Sequence, residues 1–327
     1  MHDDGDILAL PSRYLFRMRP LLLICVSGLL TTNALPQGTA SGGAVPSTRS
    51  VLPADLRGRI AARIAQVPGA EVGVWYQDVI TGETLGFRDT LTFHAASTMK
   101  LAVMVELMRR ADAGQLDLDH RMPLRNDFRS LVDGSHYQLR PGDDSDPALY
   151  SRVGAPTSLR ELNHRMIVRS SNLAANALLE FLGPASVGAT LRALGVDGVS
   201  VRRGLEDTKA FDAGLNNTVT ARGLGTLLMA IETGRVASSW ATTLMRWTLL
   251  KQEFNDEIPA GLPAEARVAH KTGWITGTTH DAAIVYAPGR APFVLVILTR
   301  NISDRAAAQR LIADLARLTF DATRPPR

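Results

Sequence analysis

Strand-forming segments lie near both ends of this chain with helical segments between them, and this arrangement limits the fold more than any other feature. Val72–Tyr76 and Thr84–Phe87 flank Thr81-Gly82, which is a hairpin signal. Three further segments with strand character lie at 267–272, 280–287 and 293–299. The last contains Phe293-Val-Leu-Val-Ile-Leu298, which is apolar on both faces, as a central strand covered from both sides is. Strands from the two ends of the chain must therefore pair in one sheet.

The region between these strands has helical periodicity. A helix is predicted to begin at Ser97 and to end near Gly114, and Ser158 and Glu161 form a capping box for a second helix that runs to about Arg169. Further helices are predicted at 173–182, 185–194, 220–233 and 239–251, and amphipathic helices at 53–67 and 304–319 would cover the sheet. The sequence thus predicts an α/β (α+β) fold, in which an antiparallel sheet from both chain ends is flanked by helices and an all-α subdomain is inserted.

The N-terminal residues have the order of a secretory signal peptide. Arg13, Arg17 and Arg19 precede an apolar run, Leu21 to Leu30, and small residues follow it. The run is too short to span a bilayer, so the mature form is expected to have no membrane span. We therefore expect an exported protein, either periplasmic or secreted.

These features divide the chain into three parts. A signal peptide is expected at 1–34, with Met18 as an alternative start, and residues 35–52, rich in Gly, Ser, Thr, Pro and Ala, are expected to form a flexible linker. The folded domain then occupies 53–327. Its α/β part is expected at 53–96 and 265–327, and its helical part at 97–264.

Composition excludes several kinds of chemistry. Cys25, the only cysteine, lies in the predicted signal peptide, which excludes disulfides and thiolate metal sites from the mature protein. Net charge is only +4 and no Lys/Arg run occurs, so nucleic acid is not expected as a partner. Asp143, Asp144 and Asp146 lie in an aperiodic segment, 126–157, where a solvated loop is a better explanation than a cation site. We expect no metal, no cofactor and a monomer.

Lysine is scarce, and two of the four lysines lie in short motifs that also contain a hydroxyl residue. The chain has 36 basic residues, of which only Lys100, Lys209, Lys251 and Lys271 are Lys. A Lys ammonium, unlike an Arg guanidinium, loses its proton when its surroundings lower its pKa. In Ser97-Thr-Met-Lys100 the first and last residues share one helix face, where the amine could serve as the base that a Ser nucleophile needs.

Two other short motifs could complete a site, although each has an ordinary structural explanation when taken alone. Lys271-Thr272-Gly273 at the end of a predicted strand could bind a substrate carboxylate, with Gly273 allowing close approach; it could equally be a strand ending in a turn. Ser170-Ser171-Asn172, in a break between predicted helices, could relay a proton and hold a carbonyl; it could equally be a helix cap.

Taken together, the order Ser-x-x-Lys, Ser-x-Asn, Lys-Thr-Gly resembles that of the class A β-lactamases and penicillin-binding proteins over roughly 52–320. The resemblance implies a β-lactamase-like catalytic domain in which Ser97 attacks an amide carbonyl, with Lys100 or Glu206 (through water) as base. It also implies that Ser170 passes the proton to the leaving nitrogen, helped by Lys271. Glu206 follows Ser170 by 36 residues, close to the position of the deacylating Glu in class A enzymes.

The same resemblance implies the substrate contacts. The oxyanion would lie between the backbone N–H groups of Ser97 and Trp274, and Asn172 would orient the acyl side chain. Lys271 and Thr272 would hold the substrate carboxylate, with a further contact from Thr279; the strand residue Gly273 belongs to the same binding motif.

Three departures from the family pattern leave the activity open between alternatives. Ala210 stands where class A enzymes have an Asn that helps to hold the hydrolytic water, Ser171 replaces an Asp, and Trp274 replaces a smaller residue. The first hypothesis is a serine hydrolase that turns over small-molecule β-lactams, which Glu206 favours. The missing Asn favours the alternatives: a D-alanyl-D-alanine peptidase or related amidase or esterase that acts on a peptidoglycan-like peptide, or a penicillin-binding sensor that deacylates slowly.

Overall fold

Helices and strands occupy most of the segments that the apolar periodicity marks in the computed structural model, which describes residues 52–324. The predicted signal peptide and all but the last residue of the predicted linker lie outside the described residues. The helices are α1 (Leu56–Ala65), α2 (Lys100–Asp112), α3 (Leu159–Val168), α4 (Asn172–Leu182), α5 (Pro184–Ala193), α6 (Thr208–Asp212), α7 (Ala221–Glu232), α8 (Ser239–Leu249) and α9 (Arg305–Ala322). In residues 52–324, no helix is long and apolar enough to cross a membrane.

The strands are β1 (Glu71–Asp78), β2 (Thr84–Phe87), β3 (Phe93–His94), β4 (Arg121–Pro123), β5 (Phe128–Arg129), β6 (His136–Tyr137), β7 (Pro156–Ser158), β8 (Val199–Ser200), β9 (Thr218–Val219), β10 (Arg267–Ile275), β11 (Thr278–Tyr286) and β12 (Phe293–Arg300). Five of them form one antiparallel sheet in the order β10-β11-β12-β1-β2. Because β1 and β2 come from the start of the domain and β10 to β12 from its end, the predicted sheet from both chain ends is confirmed. The short strands β3 to β9 were not predicted.

The sheet is covered on both faces, and β12 shows how the sequence encodes this. Val294, Val296 and Leu298 point into a core shared with the helical block, whereas Phe293, Leu295 and Ile297 point into a second core shared with α1 and α9. All six side chains are fully buried. The run that is apolar on both faces is therefore a central strand, as predicted.

The predicted helix start at Ser97 needs a correction. Ala96–Met99 form a 3-10 turn, and the α-helix begins only at Lys100. Ala96, directly before Ser97, has a φ of 45°, a left-handed conformation that costs a non-Gly residue about 1–3 kcal/mol and that prevents any helix from extending back beyond Ser97. The nucleophile candidate thus lies on a tight turn before the helix rather than in its first turn.

The prediction that Lys271-Thr272-Gly273 ends a strand is also wrong. β10 continues to Ile275, because Trp274 pairs with Thr279 and Ile275 pairs with Thr278 across the hairpin. β10 is an edge strand of the sheet. The motif therefore lies along an open strand edge, next to the 3-10 turn that carries Ser97.

Candidate active site

Ser97 is held in place by the backbone of its own turn. The Ala96 N–H donates to Nδ1 of His94 over 3.0 Å, and the Thr98 hydroxyl donates to the Ala95 carbonyl over 2.6 Å. Ser97 is half-buried, whereas its neighbours Ala96 and Thr98 are buried. The turn therefore presents the Ser97 hydroxyl at the surface of a rigid segment.

Lys100 lies fully buried beneath Ser97. Its Nζ donates to Oγ of Ser97 over 3.0 Å, to the backbone carbonyl of Ser170 over 2.7 Å and to Oδ1 of Asn172 over 2.8 Å. Burial lowers the pKa of Lys100 to about 7, against the opposing effect of two carboxylates, Asp144 and Glu206. A Lys amine with a pKa near neutrality can accept a proton from the hydroxyl it contacts.

The Ser170 hydroxyl lies between two buried amines. Oγ of Ser170 is 3.0 Å from Nζ of Lys271 and 3.4 Å from Nζ of Lys100. Burial, followed by the positive charge of Lys100, lowers the pKa of Lys271 well below its usual range. Since both ammonium groups are costly here, the hydroxyl that joins them is well placed to move a proton.

Asn172 connects this cluster to Glu206. Its Nδ2 donates to Oε1 of Glu206 over 2.8 Å while its Oδ1 accepts from Lys100. Burial raises the pKa of Glu206, although the Asn172 hydrogen bond opposes this. Glu206 has a left-handed φ of 61°, so its position is set by the surrounding loop rather than by a regular element.

That loop is anchored by the residue after Glu206. The buried Asp207 carboxylate accepts from Oγ of Ser130 and from the Leu131 N–H, each over 2.8 Å, and from the Ala210 N–H over 3.1 Å. Ala210 is fully buried in α6 and offers no polar side-chain atom near Glu206.

Gly273 brings β10 against the 3-10 turn that carries Ser97. A Cβ at this position would lie 2.9 Å from the backbone N atoms of both Ser97 and Thr98. The glycine is therefore required by the contact between two segments of the protein, a reason different from the ligand approach predicted from the sequence. The backbone N–H groups of Ser97 and Trp274 belong to the two segments that meet here.

The residues beside Gly273 on β10, and Thr279 opposite them on β11, differ in accessibility. Thr272 is fully buried, and its Oγ1 has no hydrogen-bond partner; Thr279 is buried opposite Trp274. The half-buried Trp274 ring has the Phe254 ring at 5.0 Å and the Arg305 guanidinium at 3.9 Å. These contacts keep the larger side chain at position 274 in one orientation.

The acidic segment does not form the solvated loop that the sequence predicts. Asp144 and Asp146 are buried, and only Asp143 is exposed. Asp146 forms an ion pair with Arg165 over 2.9 Å, and Asp144 contacts the start of α4. Charged side chains are rarely this buried unless they are paired, but the partners lie 19 to 28 positions away, so no local pattern could identify them. Residues 52–324 contain no cluster of His, Cys, Asp or Glu that could hold a metal ion.

Known proteins similar in sequence to this chain are β-lactamases. The Beta-lactamase enzyme family matches residues 55–323 of the chain. The chain is 31% identical to the β-lactamase AST-1 of Nocardia asteroides, covering 96% of this chain and 98% of that protein. It is 30% identical to the carbapenem-hydrolyzing β-lactamase KPC of Klebsiella oxytoca, covering 80% and 86%.

Solved structures of similar fold include a class A β-lactamase and PBP-A. A variant of the class A β-lactamase of the last common ancestor of Gram-negative bacteria is 30% identical, with a TM-score of 0.72 over 82% of this chain and 98% of that one. PBP-A also has a TM-score of 0.72, over 83% and 96%, but at 24% identity it shows similarity of fold alone.

Proposed function

The chain belongs to the β-lactamase enzyme family, and from that premise we propose that it hydrolyses the amide bond of β-lactams through an acyl-enzyme at Ser97. The observation that carries the proposal is the continuous set of hydrogen bonds from Ser97 through Lys100 and Asn172 to Glu206. It joins a nucleophile and an amine base, which acylation needs, to a carboxylate that can activate water for hydrolysis.

In acylation, Oγ of Ser97 attacks the carbonyl carbon and its proton passes to Lys100, 3.0 Å away. The oxyanion forms between the N–H groups of Ser97 and Trp274, and each such donor is typically worth about 2.7–4 kcal/mol in the transition state. The C–N bond then breaks. Ser170, which contacts Lys100 and Lys271, passes a proton to the leaving nitrogen.

In deacylation, Glu206 removes a proton from a water that attacks the ester carbonyl, and Ser97 regains its proton as it leaves. Burial keeps the pKa of Glu206 raised, which makes its carboxylate a stronger base than an exposed one. Class A enzymes have an Asn at the position of Ala210 to hold this water, so we expect slower deacylation than in those enzymes.

Substrate binding uses the edge of β10. We place the carboxylate of the β-lactam beside Lys271, Thr272 and Thr279, where the unpaired Oγ1 of Thr272 can donate to it. Asn172 Nδ2 contacts the acyl side chain. Gly273 and Trp274 form the strand edge against which the ligand lies.

The peptidase and sensor hypotheses are less favoured. They use the same acylation groups but do not need Glu206, which here is hydrogen-bonded into the acylation cluster. The relatives described above are β-lactamases, which also favours β-lactam hydrolysis over these alternatives.

The test combines turnover with mass measurement. The purified protein should hydrolyse a chromogenic cephalosporin over many cycles, and Ser97→Ala should lose both this activity and any adduct in the intact mass after penicillin treatment. Glu206→Gln should still acylate but retain the adduct. Glu180→Gln, an exposed carboxylate on α4, is the matched control and should behave as the wild type. Continued turnover by Ser97→Ala, or a wild type that neither reacts nor acylates, would refute the proposal.

We further infer that the protein is exported and acts as a monomer in the periplasm or outside the cell, where β-lactams and peptidoglycan peptides occur. The support is the basic, apolar and small-residue order within 1–34. N-terminal sequencing of protein recovered outside the cytoplasm tests this: cleavage near Ala34 supports export, and an intact N-terminus contradicts it.

A further inference from the structure

Asp144 reaches the first turn of α4 from a distant part of the chain. Its Oδ2 accepts from the backbone N–H groups of Asn172 and Leu173, each over 2.9 Å, and from the Tyr150 hydroxyl over 3.0 Å. Its Oδ1 accepts from the Asp146 N–H over 3.0 Å. Asp144 is only 7% exposed. All of these groups donate to the carboxylate oxygens and hold the side chain in this one position.

These contacts satisfy a requirement of the helix. The first N–H groups of a helix have no partner within it, and negative charge is favourable at that end. The Ser171 hydroxyl accepts from the Ala174 N–H over 3.3 Å and donates to Oδ2 of Asp144 over 3.4 Å. Ser171 is neutral, whereas related enzymes have Asp at this position. Asp144 thus provides the negative charge at the start of α4 that Ser171 lacks.

The segment that Asp144 fixes is the one that surrounds Lys100. The Ser170 carbonyl and Oδ1 of Asn172 accept two of the hydrogen bonds from Lys100. Ser170 has a left-handed φ of 56°, a strained conformation that persists only where its surroundings hold it. The next residues, 171 to 173, are held by the Asp144 carboxylate.

We propose that Asp144 is a positioning residue for acylation, which holds Ser170 and Asn172 against Lys100 and takes the place of the carboxylate missing at Ser171. This inference rests on the proposed function. Asp144 does not touch the reacting atoms; it acts through the start of α4.

Its charge gives the role a recognisable signature. The charged or titratable groups that face Lys100 are Asp144, Glu206 on its loop and Lys271 on β10; Asp144 raises the pKa of Lys100 against the larger effect of burial. Removing the Asp144 charge lowers the Lys100 pKa. In a plot of acylation rate against pH, the acid limb, where the rate falls because Lys100 is protonated, therefore moves to lower pH. A purely structural loosening would reduce the rate without that shift.

The experiment measures the rate of penicillin adduct formation by intact mass from pH 5 to 9. Asp144→Asn should acylate about 10- to 100-fold more slowly at its optimum, with the acid limb at lower pH. Asp143→Asn removes the same charge from the exposed neighbour and should stay within about twofold of the wild type. The double variant Asp144→Asn/Ser171→Asp returns a carboxylate to the helix start and should recover at least about tenfold.

The outcomes separate the two proposals. An Asp144→Asn variant that acylates like the wild type, or that is slower with an unmoved limb, overturns the inference alone. A wild type that forms no adduct refutes the proposed function and the inference with it. Should Asp144→Asn not fold, the double variant decides: acylation near the wild-type rate supports the inference, and a folded double variant that does not acylate overturns it.

Discussion

Gly273→Ala should damage acylation through a contact that no ligand makes. The added methyl group would lie 2.9 Å from the backbone N atoms of Ser97 and Thr98 and 3.2 Å from Cβ of Ala96. Ordinary contacts begin near 3.4 Å, so the nucleophile turn or β10 must move by about half an ångström. Neither neighbour is a flexible side-chain end that could move freely.

The expected loss of acylation rate and of thermal stability follows from that displacement. Overpacking of this kind costs about 1–3 kcal/mol, and each kcal/mol lowers Tm by about 2–4 °C for a domain of this size. Misplacement by about 1 Å can reduce a rate about 100-fold, and in the proposed mechanism the Ser97 N–H also donates to the oxyanion. We therefore expect acylation to fall about 10- to 100-fold, with Tm lower by about 2–12 °C.

The assay is adduct formation with penicillin by intact mass, together with calorimetry. Gly142→Ala is the control, because a Cβ there meets nothing within 4 Å and the residue is exposed. It should change neither the rate nor Tm. If Gly273→Ala acylated at the wild-type rate and melted within about 1 °C of the wild type, the argument that this glycine fits the strand to the nucleophile turn would be wrong.

Three further predictions concern proton equilibria and packing. If Lys100 is the acylation base, kcat/KM for a β-lactam should rise with pH through about 7, and a rate independent of pH from 5.5 to 8 would exclude that role. Burial raises the pKa of Glu257 to about 7 from 4.5, so the contribution of this carboxyl to stability should be largest below pH 4.5 and be lost as pH rises to 7; Glu257→Gln should remove this part of the pH dependence of Tm, measured by calorimetry. Gly225→Ala would place a Cβ in steric conflict with the Trp75 ring and should lower Tm by several degrees, whereas Gly58→Ala, at an exposed position of α1, should not lower it.

Much of the fold could be predicted because the order of apolar and polar residues along the chain indicates which side chains are buried and where helices begin. The apolar run of β12 and the Ser158 cap of α3, whose hydroxyl accepts from the Glu161 N–H, are properties of neighbouring residues. The short strands and the 3-10 turn at Ser97 could not be predicted, since elements of two to four residues have no periodicity and depend on their neighbours in space. For the same reason the true end of β10 was set by pairing across the hairpin.

The sequence by itself determined which residues could carry the chemistry, because only a few lysines and hydroxyls occur in the required order, and it determined that strands from both chain ends share a sheet. Only the tertiary structure decided how these residues are held. Asp144 lies 28 positions from the N–H group it caps, and Lys271 lies 101 positions from the Ser170 hydroxyl it contacts. Side-chain periodicity reports which face of an element is buried, whereas these contacts arise from the packing of separate elements, which brings charges out of water and next to their partners.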